Sequence, residues 1–156
     1  MEVAEHMFLP NSIYIRNCNR AIESYKGRVQ GNYTPGFIGN MLANSMLPNA
    51  KGNLSFKMKT FKILDPARNS EPTGISDSFG KLIQVLTEFD QFYGKEEKID
   101  LNNIKVETAL GKLVKMKLGD ALRFNSNHNL RHMNQLERAI TQCKSATTLD
   151  EVLESL

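Results

Sequence analysis

The sequence predicts one soluble domain of the all-α class, and three observations support that prediction. Apolar residues recur at helical spacing in three long segments, residues 2–24, 76–93 and 117–144. The chain has 156 residues, of which 40% are hydrophobic and 24% charged, and this is ordinary composition for a single globular domain over residues 1–156. No apolar run approaches the roughly 20 residues that a membrane span requires. We therefore expect a helical bundle with one core.

The charge balance argues against a nucleic-acid partner. The formal net charge is +3, whereas nucleic-acid binding needs clustered contacts to phosphates. Basic residues gather at residues 51–62 and 112–117, which we interpret as solvated faces, with a weak anion site as the alternative. Cys18 and Cys143 form no CxxC pair, and the N-terminus lacks the basic segment of a secretory signal. We expect reduced thiols and a cytoplasmic protein without a membrane partner.

The first predicted helix spans residues 2–24. Pro10 lies inside it and cannot donate a hydrogen bond to the carbonyl of His6, so we expect a kink or a break just after His6. The apolar stripe of this helix consists of Val3, Met7, Tyr14, Cys18 and Ala21.

A long and mostly irregular connection is predicted over residues 27–74, because glycine and proline interrupt every pattern there. Within it, PGFIGNMLANSML predicts one or two helical turns. Loops of this length are uncommon and often carry function. The second long helix is predicted over residues 76–93, with Gly94 ending it. Its predicted buried stripe consists of Phe79, Leu82, Ile83, Leu86, Phe89 and Tyr93.

The third and longest predicted helix, residues 117–144, has a polar centre on its inward face. A charged turn and an asparagine pair precede this helix. After it, Thr148 with Glu151 forms a capping-box pattern that predicts a short last helix. The inward stripe of the long helix consists of Leu118, Leu122, Asn125, His128, His132, Gln135, Ala139 and Cys143.

His128 and His132 stand four residues apart, which places both imidazoles on one helix face with about 5–6 Å between their Cβ atoms. Two neutral imidazoles at that spacing can bind one metal ion. The HxxxH pattern also occurs in histidines that bond to carbonyls, and Asn129 stands where the HExxH protease motif has its glutamate. His6, the only other histidine, lies on another predicted helix. We therefore predict a divalent-metal site with three histidine ligands, which leaves positions open for water or substrate.

No other catalytic set is present, since GxSxG, P-loop and GxGxxG motifs are all absent. Cys18 and Cys143 are either core residues or nucleophiles, and their helical stripes favour the core. Gln135, one turn after His132, either orients a ligand or is a plain surface residue. Because imidazole binds metal only when neutral, the unperturbed histidine pKa predicts that metal affinity falls between about pH 7 and pH 5.

Two segments resemble a known family. VAEHMFLPNSIY is similar to the first metal-binding helix of the DinB-like superfamily, and GDALRFNSNHNLRHMNQLERAI is similar to its last long helix. The stretches PGFIGNMLANSML, MKTFK and MKLGDALRF resemble one bacterial branch. The resemblance implies a four-helix bundle with a zinc or nickel ion held by His6, His128 and His132. Some members of the family resemble thiol-dependent S-transferases, which implies a small-molecule substrate, in particular a low-molecular-weight thiol.

One departure from the family concerns the first helix. Members usually have a whole helix before the first metal-binding helix, ending in a Trp-Ser type turn, whereas this sequence starts within the first motif and has no Trp. We therefore expect the stripe of Val3, Met7 and Tyr14 to lack a neighbour, so that a homodimer or an upstream extension covers it. Two classes of function remain open. One is a metal-dependent enzyme, either transferase or hydrolase, and the other is a non-catalytic metal-binding or stress-response module.

Overall fold

The computed structural model of the protein describes residues 2–29, 31–48, 75–94, 99–109 and 111–154. These residues form four helices and one β-hairpin, so the chain is mostly helical, as predicted, but is not purely all-α. None of the described helices combines the length and the apolar character needed to cross a bilayer. In chain order the elements are α1 (Glu2–Ser24), α2 (Phe37–Ser45), α3 (Ile75–Tyr93), β1 (Lys105–Thr108), β2 (Gly111–Lys117) and α4 (Leu118–Glu154).

Helix α1 lies at the centre of the core. It packs against α3, β1 and α4. The expectation that its apolar stripe lacks a neighbour is wrong, because Met7 and Tyr14 are each only 2% exposed. The helix also runs through Pro10 without ending, so the break considered after His6 does not occur. Its buried positions recur at steps of three and four residues, at Ala4, Met7, Asn11, Tyr14 and Cys18.

Helix α3 has the predicted bounds to within one residue, but only part of its predicted apolar stripe is buried. Leu82 and Phe89 are buried as expected, whereas Phe79 is 41% exposed and Ile83 is 64% exposed. The other buried positions of this helix are Ser78, Val85 and Phe92. The apolar stripe of this helix is wider than the face that α1 covers, so periodicity alone cannot select the buried positions within it. Packing against α1 makes that selection.

The hairpin replaces the predicted charged turn. Val106 pairs with Met116 in antiparallel register, and both side chains are buried. Burial alternates along β1, as expected for a strand with one face on the core. This alternation of apolar and polar residues is visible in IKVET, so the sequence contained a signal for the strand. Gly111 follows the turn with a φ of +117°, a conformation that favours glycine.

Helix α4 begins where its first amide groups find partners outside the helix. Leu118 donates its backbone N–H to the carbonyl of Ile104 at 2.9 Å, and Gly119 donates to Leu101 at 3.0 Å. The helix then continues to Glu154, so the separate last helix predicted at Thr148 does not exist. No glycine or proline interrupts residues 143–154 to end it.

The inward face of α4 is shorter than predicted. Leu118, Leu122 and Asn125 are buried, and the histidine pair is half-buried. Ala139, which the periodic stripe places inside, is exposed. After His132 the helix therefore extends beyond the described core. The apolar spacing of its sequence continues there, although no described element packs on that face. The side chain of Cys143 lies outside the described residues.

A carboxylate of α4 holds the segment before α2. Asp120 is 1% exposed and accepts hydrogen bonds from the Tyr33 hydroxyl and from the backbone N–H of Gly36. Arg123 adds a bond from Nη1 to Oδ1 of Asn40 at 3.0 Å. Helix α2 has nine residues and is longer than the one or two turns predicted. The rest of the predicted irregular connection, residues 49–74, lies outside the described residues, as does the basic stretch at 51–62.

We expect Gly39→Ala to destabilise the fold. A Cβ atom at Gly39 overlaps the carboxyl group of Asp120, which its hydrogen bonds hold in place. Overpacking of this kind costs about 1–3 kcal/mol of the free energy of unfolding. Gly80→Ala is the matched control, because a Cβ there meets nothing within 4 Å and alanine favours a helix by up to about 1 kcal/mol. Urea unfolding of both variants checks this, and equal effects would contradict the close contact between α2 and α4.

Candidate metal centre

The three histidines come together where α1 crosses α4. The Nε2 atoms of His128 and His132 are 3.1 Å apart. The ring of His6 lies with its centroid 4.7 Å from that of His132 and 5.8 Å from that of His128. Each imidazole offers one nitrogen such that all three nitrogens lie within 4.8 Å of one another. The group can therefore hold a metal ion.

The geometry of the pair suits two ligands of one ion. Two nitrogens bound to a tetrahedral zinc at about 2.05 Å are about 3.3 Å apart, close to the 3.1 Å between the Nε2 atoms of His128 and His132. An N–H···N hydrogen bond has a similar length, so this distance alone does not identify a metal site. The position of His6 favours a metal site, because a hydrogen bond between His128 and His132 alone does not explain why a third imidazole lies against them. Three neutral nitrogens also form a donor set that zinc and nickel accept.

Aromatic packing supports the first histidine of the pair. The ring of Phe124 stacks on that of His128 with centroids 6.3 Å apart and an interplanar angle of 14°. Phe124 in turn contacts the ring of Tyr14 on α1, with a centroid distance of 5.8 Å. The His128 ring is therefore held by a side chain one turn earlier on its own helix, which itself packs against α1.

Three asparagines join the two ligand-bearing helices close to the histidines. Asn11 is fully buried and donates from Nδ2 to the carbonyl of Met7 at 2.7 Å and to Oδ1 of Asn129 at 2.8 Å. Its Oδ1 accepts from Nδ2 of Asn125 at 2.7 Å and from Nδ2 of Asn129 at 3.0 Å. Sequence reasoning missed Asn11, although a polar residue at a buried position of the α1 stripe was a usable signal.

Burial keeps two of the histidines neutral. It lowers the pKa of His128 to about 3, with further lowering from the neighbouring His132 and His6. It lowers the pKa of His132 to about 4, with His6 adding to the effect and a hydrogen bond with Gln135 opposing it. Both imidazoles are therefore in the metal-binding form at neutral pH. For these two residues, protons compete with a metal only near pH 4, below the window of pH 7 to 5 that an unperturbed imidazole predicts.

We expect the metal-free protein to lose stability as the pH falls below about 6.5. The unfolded chain takes up protons on His128 and His132 near that pH, whereas the folded chain resists until about pH 3 to 4. Protons therefore favour the unfolded state, by at most about 1.4 kcal/mol per pH unit for each fully shifted group. The half-buried His132 contributes less because solvent screens it. Urea unfolding at pH 7, 6 and 5 measures this loss, and a His128→Gln variant should show a shallower dependence.

The other sequence candidates take ordinary places. Gln135 has an exposed side chain that also bonds to His132, so both of its predicted roles remain compatible with the structure. Cys18 is a free, fully buried thiol, and burial raises its pKa to about 12. A thiol with that pKa is not a nucleophile at neutral pH, which supports the core interpretation of Cys18.

No protein-family model matches this chain, and no curated protein or solved structure matches it either. Its function is therefore argued from the histidine site.

Proposed function

We propose that this chain is a metal-dependent enzyme of the DinB-like superfamily that binds one zinc or nickel ion through His6, His128 and His132. The observation that supports this most strongly is the convergence of three imidazoles from two helices, with one nitrogen of each within 4.8 Å of the others. The neutral state of the pair at physiological pH supports it further. The resemblance of the two histidine-bearing segments to that superfamily agrees with the same three ligands.

Two features favour an enzyme over a structural metal site. Within the described part of the chain, the group contains three candidate ligands, whereas structural zinc sites usually close with four. All three histidines are half-buried, so a small molecule can approach from solvent. A divalent ion held there would supply Lewis acidity and lower the pKa of a water or thiol ligand. Thiol S-transfer and hydrolysis are therefore the reactions we propose, with a low-molecular-weight thiol or water as co-substrate.

The residues of the chain provide binding and orientation. His128 and His132 supply neutral nitrogens without first losing a proton. The asparagine cluster holds α1 against α4 so that His6 stays beside the pair. Gln135 lies at the exposed side, where its amide can orient the second histidine of the pair or an incoming molecule. The alternative function is a non-catalytic metal-binding module, which keeps the same ligands but turns over no substrate.

Metal content and turnover distinguish these functions. We expect the purified protein to carry about one equivalent of zinc or nickel per chain by elemental analysis. Each loaded form is then assayed with N-acetylcysteine and a chlorodinitrobenzene, where a C–S bond forms, chloride leaves and a proton is released, and with a nitrophenyl ester and water. Metal-dependent turnover in either assay supports the enzyme. Stoichiometric metal without turnover supports the module, and absence of bound metal overturns both.

A further inference from the structure

Two buried polar atoms beside the histidine site lack a hydrogen-bond partner. Among the described residues, Oδ1 of Asn125 and Nδ1 of His128 are the buried side-chain nitrogen and oxygen atoms without one. The two residues are three apart on α4, so their side chains are neighbours on one helix face. Buried unpaired polar groups are rare because each gives up its bond to water. Two of them on adjacent side chains call for a common explanation.

The orientation of the Asn125 amide follows from the asparagine cluster. The carbonyl of Met7 can only accept, so Nδ2 of Asn11 must face it at 2.7 Å. Oδ1 of Asn11 therefore faces the side chains of Asn125 and Asn129, from which it can only accept hydrogen bonds. Asn125 must then present Nδ2 to it, as the 2.7 Å bond shows. A flipped Asn125 would place two acceptors against each other, so its Oδ1 is left as a free acceptor.

The orientation of His128 leaves a complementary donor. Its Nε2 faces Nε2 of His132 at 3.1 Å, on the side where the three imidazoles converge. A neutral imidazole carries one proton, and the nitrogen that serves as a metal ligand must be the unprotonated one. The proton then lies on Nδ1, which becomes a buried donor beside the free acceptor of Asn125.

We propose that Asn125 is a positioning residue whose Oδ1 accepts a hydrogen bond from Nδ1–H of His128 and so directs the Nε2 lone pair toward the histidine cluster. The last torsions of asparagine and histidine side chains are broad, so rotation about them can bring these two neighbouring groups into a hydrogen bond. Metal-binding histidines usually donate their second nitrogen in this way, which fixes both tautomer and ring orientation. The proposal deepens the proposed function and rests on it for the metal, but the tautomer is a property of the metal-free protein as well.

The first test is the tautomer of His128. Long-range nitrogen–proton NMR spectra of the metal-free and the zinc-loaded protein report which ring nitrogen carries the proton. We expect the Nδ1–H tautomer in both states. An Nε2–H tautomer in the metal-free protein would overturn the proposal, whether or not zinc binds.

The second test separates positioning from packing. Asn125→Leu removes both the acceptor for His128 and the donor to Asn11, whereas Asn125→Asp keeps an acceptor and removes only the donor. We expect zinc affinity to fall about 10–100-fold in the leucine variant and to stay within a few-fold of wild type in the aspartate variant, although both lose stability. A merely structural role predicts that affinity falls equally in both.

Asn127→Leu is the matched control, because Asn127 lies on the same helix and donates Nδ2 to the carbonyl of Ala43 at 2.9 Å, away from the histidines. We expect it to keep wild-type zinc affinity. Circular dichroism establishes whether each variant folds. If Asn125→Leu does not fold, the tautomer measurement on the wild-type protein tests the proposal instead. Zinc binding by wild type with unchanged affinity in Asn125→Leu would overturn this proposal alone. Absence of zinc binding by wild type would overturn the proposed function instead.

Discussion

Replacing both His128 and His132 with alanine should abolish stoichiometric metal binding while the helical fold persists. The pair supplies two of the three nitrogens of the site, with Nε2 atoms 3.1 Å apart. A single remaining imidazole cannot hold the ion, so the loss of affinity should exceed the roughly 10–100-fold that follows removal of an outer-shell partner. Alanine favours a helix, so α4 itself should remain.

Elemental analysis measures the metal content of the double variant, and competition with a coloured chelator measures its metal affinity. Circular dichroism reports whether it keeps the helical fold. His6→Ala should bind metal more weakly than wild type but more tightly than the double variant, because two ligands remain. Asn127→Ala is the control, since Asn127 lies on the same helix and donates its side-chain hydrogen bond to the carbonyl of Ala43 rather than to a histidine. One retained equivalent of metal in the double variant would mean that the histidines are not the ligands.

Asn11→Leu should produce one of the largest losses of stability among substitutions of the polar residues that the structure describes. Leucine has a similar volume but removes all four hydrogen bonds that Asn11 makes. The amides of Asn125 and Asn129 are then left without this partner at the junction of α1 and α4. Unpaired buried groups cost about 1–3 kcal/mol each, so we expect the free energy of unfolding to fall by roughly 3 kcal/mol.

Metal affinity should fall in the same variant, because Asn11 holds the helix that carries His6 against the helix that carries the pair. Asn17→Leu is the control on the same helix, where a half-buried amide makes one bond to the carbonyl of Glu107 at 2.9 Å. It should cost about 1 kcal/mol and leave metal affinity unchanged. If urea unfolding shows that both variants lose a similar free energy of unfolding, the asparagine cluster around Asn11 contributes no more stability than a single hydrogen bond.

The sequence by itself determined the features that depend on near neighbours in the chain. The bounds of α1 and α3 follow from apolar spacing to within a residue. The proximity of His128 and His132 follows from their separation of four residues on one helix, and the 3.1 Å contact between their Nε2 atoms agrees with it. These features are local, because helical geometry places such side chains together whatever the rest of the chain does.

Only the tertiary structure decided which surfaces are covered. Helical spacing placed Ile83 and Ala139 inside, but both are exposed, because no described element packs on those faces. Spacing alone also could not bring His6 to a pair more than a hundred residues away. The prediction of that meeting rested on His6 being the one remaining histidine, on its position in another predicted helix, and on the family resemblance. Burial is the largest cause of the lowered pKa values of the pair, ahead of the neighbouring histidines. Burial is set by contacts between elements distant in sequence, and local periodicity carries no information about them.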